Sequence, residues 1–195
     1  MTSIQQVHDL FSRFGELRSQ PQDLWRGDIP LPKVLAEFYE RVGPWGATYH
    51  ENVGPVGIAL AETNISFPPL HRLWALQAGY RWDASNGQRV ADWQDNWLVI
   101  ADQNADPFIL DTASGRILHA IHGTGAWDPG EIAPDLYTLA AALAAIGVVC
   151  LDADEDWRDD DWVVKPQHRA RALLEVTQIM GSADDAGNLL DVLEL

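Results

Sequence analysis

Residues 152–162 (DADEDWRDDDW) gather carboxylates and indoles in one short stretch: Asp154, Glu155, Asp156, Trp157, Asp159, Asp160, Asp161 and Trp162. Seven acids fall within residues 152–161, with Arg158 as the one base among them. The chemistry open to such a segment is recognition rather than bond breaking. Carboxylates steer a basic partner toward contact, and tryptophan is among the residues that most often carry interface energy. The plainer alternative is a solvated acidic loop whose tryptophans pack down on the domain. A calcium loop of the EF-hand type does not fit, because its glycine and closing glutamate are missing. The eight residues named above are the candidate partner-binding set.

A second group, Asp102, Asp106, Asp111, His119 and His122, invites comparison with a metal-dependent hydrolase. Strand geometry argues against it. His119 and His122 are an odd number of residues apart and so point to opposite faces of a regular strand. Asp102 and Asp106 flank a turn, where aspartate commonly serves local backbone bonds. There is no H-E-x-x-H or paired-cysteine spacing. Gly123-Thr124-Gly125 is not followed by the Lys-Ser/Thr of a phosphate loop, and no G-x-S-x-G elbow presents a serine nucleophile. Cys150 is the only cysteine; it lies in the apolar run 146–151 and reads as a buried thiol. The expectation is a protein that is not an enzyme, with no catalytic residue, no metal site and no cofactor.

The charge balance restricts the partner. The chain has 195 residues with 13 Lys and Arg against 29 Asp and Glu, a net charge of -16. Such a surface is repelled by phosphate backbones and by anionic membranes, so neither nucleic acid nor a membrane is an expected partner. A basic protein is. Residues 152–195 hold 12 acids and 4 bases, a net charge of -8, so the last 44 residues carry half of the total. Residues 1–10 show neither the basic nor the apolar region of a secretory signal, and the apolar stretch 136–151 falls short of the ~20 residues that span a bilayer. The expected location is cytoplasmic.

The elements that would position these residues are legible in the spacing of apolar side chains. Ser3 with Gln6 reads as a capping box opening a first helix, with Ile4, Val7, Phe11, Phe14 and Leu17 on one stripe. Leu31-Pro32 opens a second helix striped by Val34, Leu35, Phe38 and Val42, and Gly43-Pro44-Trp45-Gly46 stops it. Residues 56–60 read as a first strand. Pro68-Pro69 leads into a short helix through Leu70, Leu73, Trp74 and Gln77, ending at Gly79. Residues 80–93 form a polar, turn-rich excursion.

Residues 97–121 then read as three antiparallel strands. The run Trp97-Leu98-Val99-Ile100-Ala101 has the continuous apolarity of a strand covered on both faces. Pro107-Phe108-Ile109-Leu110 follows, and Thr112-Ala113-Ser114-Gly115 closes a hairpin into residues 116–121. Residues 129–134 read as a linker. A helix over 135–146 ends at Gly147, and residues 148–151 form a short strand or extended crossover. Pro166 starts a helix with Ala170, Leu173, Leu174, Thr177 and Met180 inward, and Ser182 caps a last helix through Leu189, Leu190 and Leu193. Six further tryptophans (25, 45, 74, 82, 93 and 127) are scattered; Trp82, Trp93 and Trp127, in or beside loops, are candidates to line a binding surface.

The second helix with its stop (LPKVLAEFYERVGPWG) resembles the Leu-Pro … Phe … Gly segment of the SUKH superfamily. The strand trio resembles that superfamily's core: a buried strand at residues 97–101, a D-P-F-x-x-D strand at Asp106-Pro107-Phe108-Ile109-Leu110-Asp111, and a G-x-I strand at Gly115-Arg116-Ile117. The helix through residues 136–143 resembles the segment that closes the domain. The superfamily includes bacterial immunity proteins and the yeast cell-wall glucan synthesis regulators. The resemblance covers roughly residues 31–146.

It implies an α+β fold, a mainly antiparallel sheet with helices packed on it. It also implies a non-catalytic module, most often one that binds and neutralises a cognate toxin, in many cases a nuclease. A cytosolic regulatory scaffold resembling the glucan synthesis regulators is the alternative, and a metal-dependent hydrolase the lesser one. The expected organisation is a SUKH-like domain over residues 1–151 and an acidic C-terminal helical extension over residues 152–195 packed on it, with partner specificity in that extension.

Overall fold

A computed structural model describes residues 2–48 and 50–195. The protein is α+β. Six antiparallel strands run in simple meander order: β1 (Ile58–Ala59), β2 (Ile65–Phe67), β3 (Trp97–Gln103), β4 (Asp106–Asp111), β5 (Ile117–His119) and β6 (Gly130–Ala133). Helices α1 (Ile4–Phe11), α2 (Lys33–Arg41), α3 (Leu70–Leu73), α4 (Leu136–Ala153), α5 (Pro166–Met180) and α6 (Ala183–Val192) complete the chain.

The two-sided apolarity of β3 has a physical counterpart in two cores. Leu98, Ile100, Phe108, Leu110 and Ile117 enter the large core beneath the helices. Val99 and Ile109 enter a smaller one on the opposite face, with Tyr80, Trp93 and Ala120. The register between β3 and β4 shifts between Val99 and Ala101. That bulge lets the consecutive residues Ile100 and Ala101 both join the helical side. The excursion after α3 closes the smaller core with aromatic rings. Trp93 stands edge-on to Trp97 and to Trp127, each at 5.5 Å between centroids, and Tyr80 lies 5.6 Å from Trp127.

Helix α4 is the centre of the large core. It is apolar around nearly its whole circumference, as a helix enclosed on all sides must be. Asp135 caps its first turn by accepting the Thr138 amide proton at 2.8 Å. The segment Leu136–Asp156 is long and apolar enough to cross a membrane by length and composition, but 72% of its apolar window is buried inside the fold. Its alanines let α1 and α5 approach closely.

Several expectations are corrected here. Gly147 does not end α4; the helix continues to Ala153, so residues 148–151 are helical, not a strand. Gly147 is there because the Phe14 ring lies against it, and an added Cβ would stand 2.8 Å from Phe14 Cζ. The expected division at residue 151 therefore falls within the last turns of α4. The C-terminal helices share the main core through Ala172, Val176, Ala186, Leu189 and Leu190. Residues 129–134 are not a linker, for β6 forms there by pairing with the edge of β5. The first strand expected over residues 56–60 shortens to the two residues of β1, and β2 forms at Ile65–Phe67, where the sequence carries no strand signal. The first helix stops at Phe11, short of Phe14 and Leu17. The inward face of α5 is set by Ala172 and Val176, while Leu174 is 58% exposed. Ile121 lies beyond β5 and is exposed.

The buried Gln20 ties two loops to the start of α3. Gln20 donates to the Pro44 carbonyl at 2.9 Å and accepts from the Leu70 amide at 2.7 Å. At the stop of α2, Gly46 has φ +75, and an added Cβ would sit 1.8 Å from the Gly57 carbonyl oxygen, so no other residue fits.

Candidate partner-binding site

The chain leaves α4 through Asp154, whose φ of 50 turns it sharply into a 3₁₀ turn over Asp154–Asp156. Residues 158–164 then form a tight loop closed by an antiparallel bridge between Arg158 and Val164. Asp159 pins it from within. Its carboxylate accepts from the amides of Asp161 at 3.0 Å and Val163 at 2.9 Å, and its own amide donates to the Val163 carbonyl at 2.9 Å. Arg158 donates to the Trp162 carbonyl at 2.6 Å. Trp162 is held at φ 63, a left-handed conformation that costs a bulky residue about 1–2 kcal/mol. Its side chain is 76% exposed, and Val163 beside it is 59% exposed.

The eight expected contact residues separate into distinct roles. Trp157 is a core residue, not a surface one. It is 2% exposed, lies in the main core, and stands 5.9 Å from the His168 ring. Docking of α5 under the loop buries it, while Trp162, five residues on, is turned outward. Asp156 is committed to the scaffold: it binds Lys165 at 2.5 Å and His168 at 2.8 Å. Hydrogen bonds from Lys165, then His168, hold its carboxyl down to about 2. Asp159 is the pin already described. Asp154, Glu155, Asp160 and Asp161 are exposed, and their side chains bond no other described residue. Asp154, Glu155 and Asp160 line a cavity of about 440 Å³ together with Trp157, Arg158, Asp159 and Trp162; Asp161 lies outside it.

Asp152 anchors the whole segment. It accepts from Arg171 at 2.7 Å and Arg13 at 3.1 Å, joining α4 to α5 and to the segment after α1, and these bonds lower its pKa. The strained loop therefore rides on a rigid base.

The Asp and His residues of the strand trio are only partly brought together. Asp106 accepts from the His122 amide and meets His122 Nδ1, both at 2.7 Å. Asp102 accepts from the Tyr80 hydroxyl at 3.2 Å. Asp111 serves the β4–β5 turn by accepting from Ser114 and Ala113. His119 is buried against Phe108 at 4.9 Å, and burial lowers its pKa, with Asp106 partly opposing. Among the described residues, no three His, Cys, Asp or Glu side chains are placed to hold a metal ion.

One arrangement was not read from sequence. Trp74, Arg81, Trp82, Gly87, Arg89 and Asp28 line a cavity of about 390 Å³. Trp93, expected beside a loop surface, is instead 1% exposed and part of the smaller core. The abundance of tryptophan was the one signal for such a cavity, and it named Trp82 without its arginine neighbours. Comparison with protein-family models, with curated proteins and with solved structures found no match to this chain.

Proposed function

We propose that the protein is a non-catalytic binding module of the SUKH kind, an immunity protein that occupies and neutralises a basic cognate toxin such as a nuclease. The observation that carries this reading is Trp162. A large indole is held out to solvent on a strained, internally pinned loop, beside exposed carboxylates (Asp154, Glu155, Asp160 and Asp161) whose side chains bond no other described residue. A chain that only needed solubility gains nothing from an exposed tryptophan in a costly backbone conformation. A binding surface gains a preorganised anchor, and the surrounding carboxylates accelerate encounter with a basic surface.

The experiment is co-expression with the product of any neighbouring gene, followed by purification at low salt. One stoichiometric basic partner, toxic alone and harmless with this protein, is the expected result. Trp162→Ala should then weaken the complex, chiefly through faster dissociation. Several weak partners, none toxic, would replace this reading with that of a regulatory scaffold.

A further inference from the structure

The cavity beside α3 is built as a unit. Arg81, Trp82, Gly87 and Arg89 all come from one short hairpin, closed by pairing of Trp82 with Arg89 and by the bond from the Val90 amide to the Arg81 carbonyl at 3.1 Å. Asp83 organises its tip by accepting from Ser85 and Asn86. Trp82 belongs to neither core. It packs on Trp74 at 5.1 Å with the rings 46° apart, and Trp25 stands edge-on to Trp74 at 5.5 Å. The cavity thus has two indole walls: Trp74, whose other contacts are with the main core, and Trp82, which serves neither core.

The charged groups are equally fixed. Arg81 is 8% exposed. It donates to the carbonyls of Asp95 at 3.0 Å and Trp97 at 3.3 Å, with its guanidinium carbon 5.6 Å from the Trp74 ring centre. Arg89 donates to the Trp93 carbonyl at 2.9 Å and pairs with Asp95 at 2.5 Å. Asp95 does not line the cavity, so the two guanidinium groups are steadied by a carboxylate outside it. Asp28 contributes a carboxylate from a different segment of the chain. Indole walls, two arginines and one carboxylate in about 390 Å³ are complementary to a small molecule with a flat apolar body and both charges.

The geometry points to a binding site for a small aromatic zwitterion, the chemistry of a free aromatic amino acid. The ring lies against Trp74 and Trp82, the carboxylate meets the arginines and the ammonium meets Asp28. This site is independent of the acidic loop and of the partner-binding reading.

The test titrates the full-length protein with L-phenylalanine, 3-phenylpropionate and phenethylamine, read by calorimetry and by indole fluorescence. Phenylalanine should bind saturably, and the two analogues, each lacking one charge, about tenfold or more weakly. Arg89→Gln should weaken phenylalanine and phenylpropionate but spare phenethylamine. Asp28→Asn should weaken phenylalanine and phenethylamine but spare phenylpropionate. Both positions are solvent-exposed, so both variants should fold, and unchanged thermal melts check it. Absence of saturable phenylalanine binding up to about 10 mM, at the weak limit for specific recognition, would overturn the proposal. So would equal affinity for all three compounds, or variants that leave the three affinities unchanged.

Discussion

The side-chain amide of Gln77 stands in for a neighbouring strand at Val99. Gln77 is fully buried; its Oε1 accepts the Val99 amide proton at 2.9 Å, and its Nε2 donates to the Val99 carbonyl at 2.8 Å. Strand β2 pairs with β3 only at Gln103 and Asp102, so Val99 has no strand beyond it on that side. A third bond, from Nε2 to the Leu73 carbonyl at 2.9 Å, ties the end of α3 to the same point. Gln77→Leu strands both Val99 groups in the core and should cost about 2–4 kcal/mol in urea unfolding, since each unsatisfied buried group costs about 1–3 kcal/mol. Gln77→Glu should be at least as damaging, because it removes the donor and buries a charge.

The two tryptophans of the acidic segment should separate cleanly by stability. Trp157→Ala empties a core position and should cost about 3–5 kcal/mol. Trp162→Ala should stay within about 0.5 kcal/mol of the parent. Trp162→Gly should be more stable than Trp162→Ala by about 1 kcal/mol, because glycine relieves the left-handed backbone. Chemical denaturation of the three variants checks the order. Equal losses at 157 and 162 would contradict the assignment of one indole to the core and the other to solvent.

Charge removal should be informative only at the carboxylates without a scaffold role. Combining Asp154→Asn, Glu155→Gln, Asp160→Asn and Asp161→Asn should slow association with the basic partner, most of all at low salt, and leave the melting temperature nearly unchanged. Stopped-flow association against ionic strength is the measurement. Asp156→Asn and Asp159→Asn should lower stability, because each breaks bonds that hold the loop.

Acid should weaken the fold in two separate windows. Burial lowers the pKa of His119 below its ordinary 6.5, so the folded protein favours the neutral ring. That stability is complete above about 6.5 and declines as pH falls below it, because the unfolded chain takes up the proton first. Asp156 is held down to about 2 from 3.8, so its contribution is present above 3.8 and is lost as pH falls toward 2. His119→Leu should flatten the upper window and leave the lower one in place, as read by unfolding midpoints across pH.

Gly147 offers a test of the continuous α4. Replacing a mid-helix glycine by alanine normally gains about 1 kcal/mol. Here the new Cβ meets the Phe14 ring, so Gly147→Ala should show little or no gain. In a Phe14→Ala background the same substitution should recover it, and a double-mutant cycle by thermal unfolding measures the difference.

Periodicity and turn chemistry in the sequence determine β3, β4 and β5, the Gly115 turn, the stop after α2, and the caps at Ser3 and Ser182. Each rests on neighbours within a few residues, so local reading suffices. Tertiary structure alone decided the remainder. Residues 130–133 carry no strand pattern, and they become β6 because β5 offers an unpaired edge. Gly147 has the look of a helix stop, yet α4 runs through it because enclosure by α1, α5 and the sheet outweighs glycine's weak helix propensity, and Phe14 needs the space. Trp157 and Trp162 sit in the same acidic stretch with the same neighbours. What separates them is the docking of α5 on α4, which covers one ring, and the pinned turn at Asp159, which directs the other to solvent. Burial depends on elements distant in sequence, and for that reason composition could place indoles and carboxylates together without assigning which of them a partner would meet.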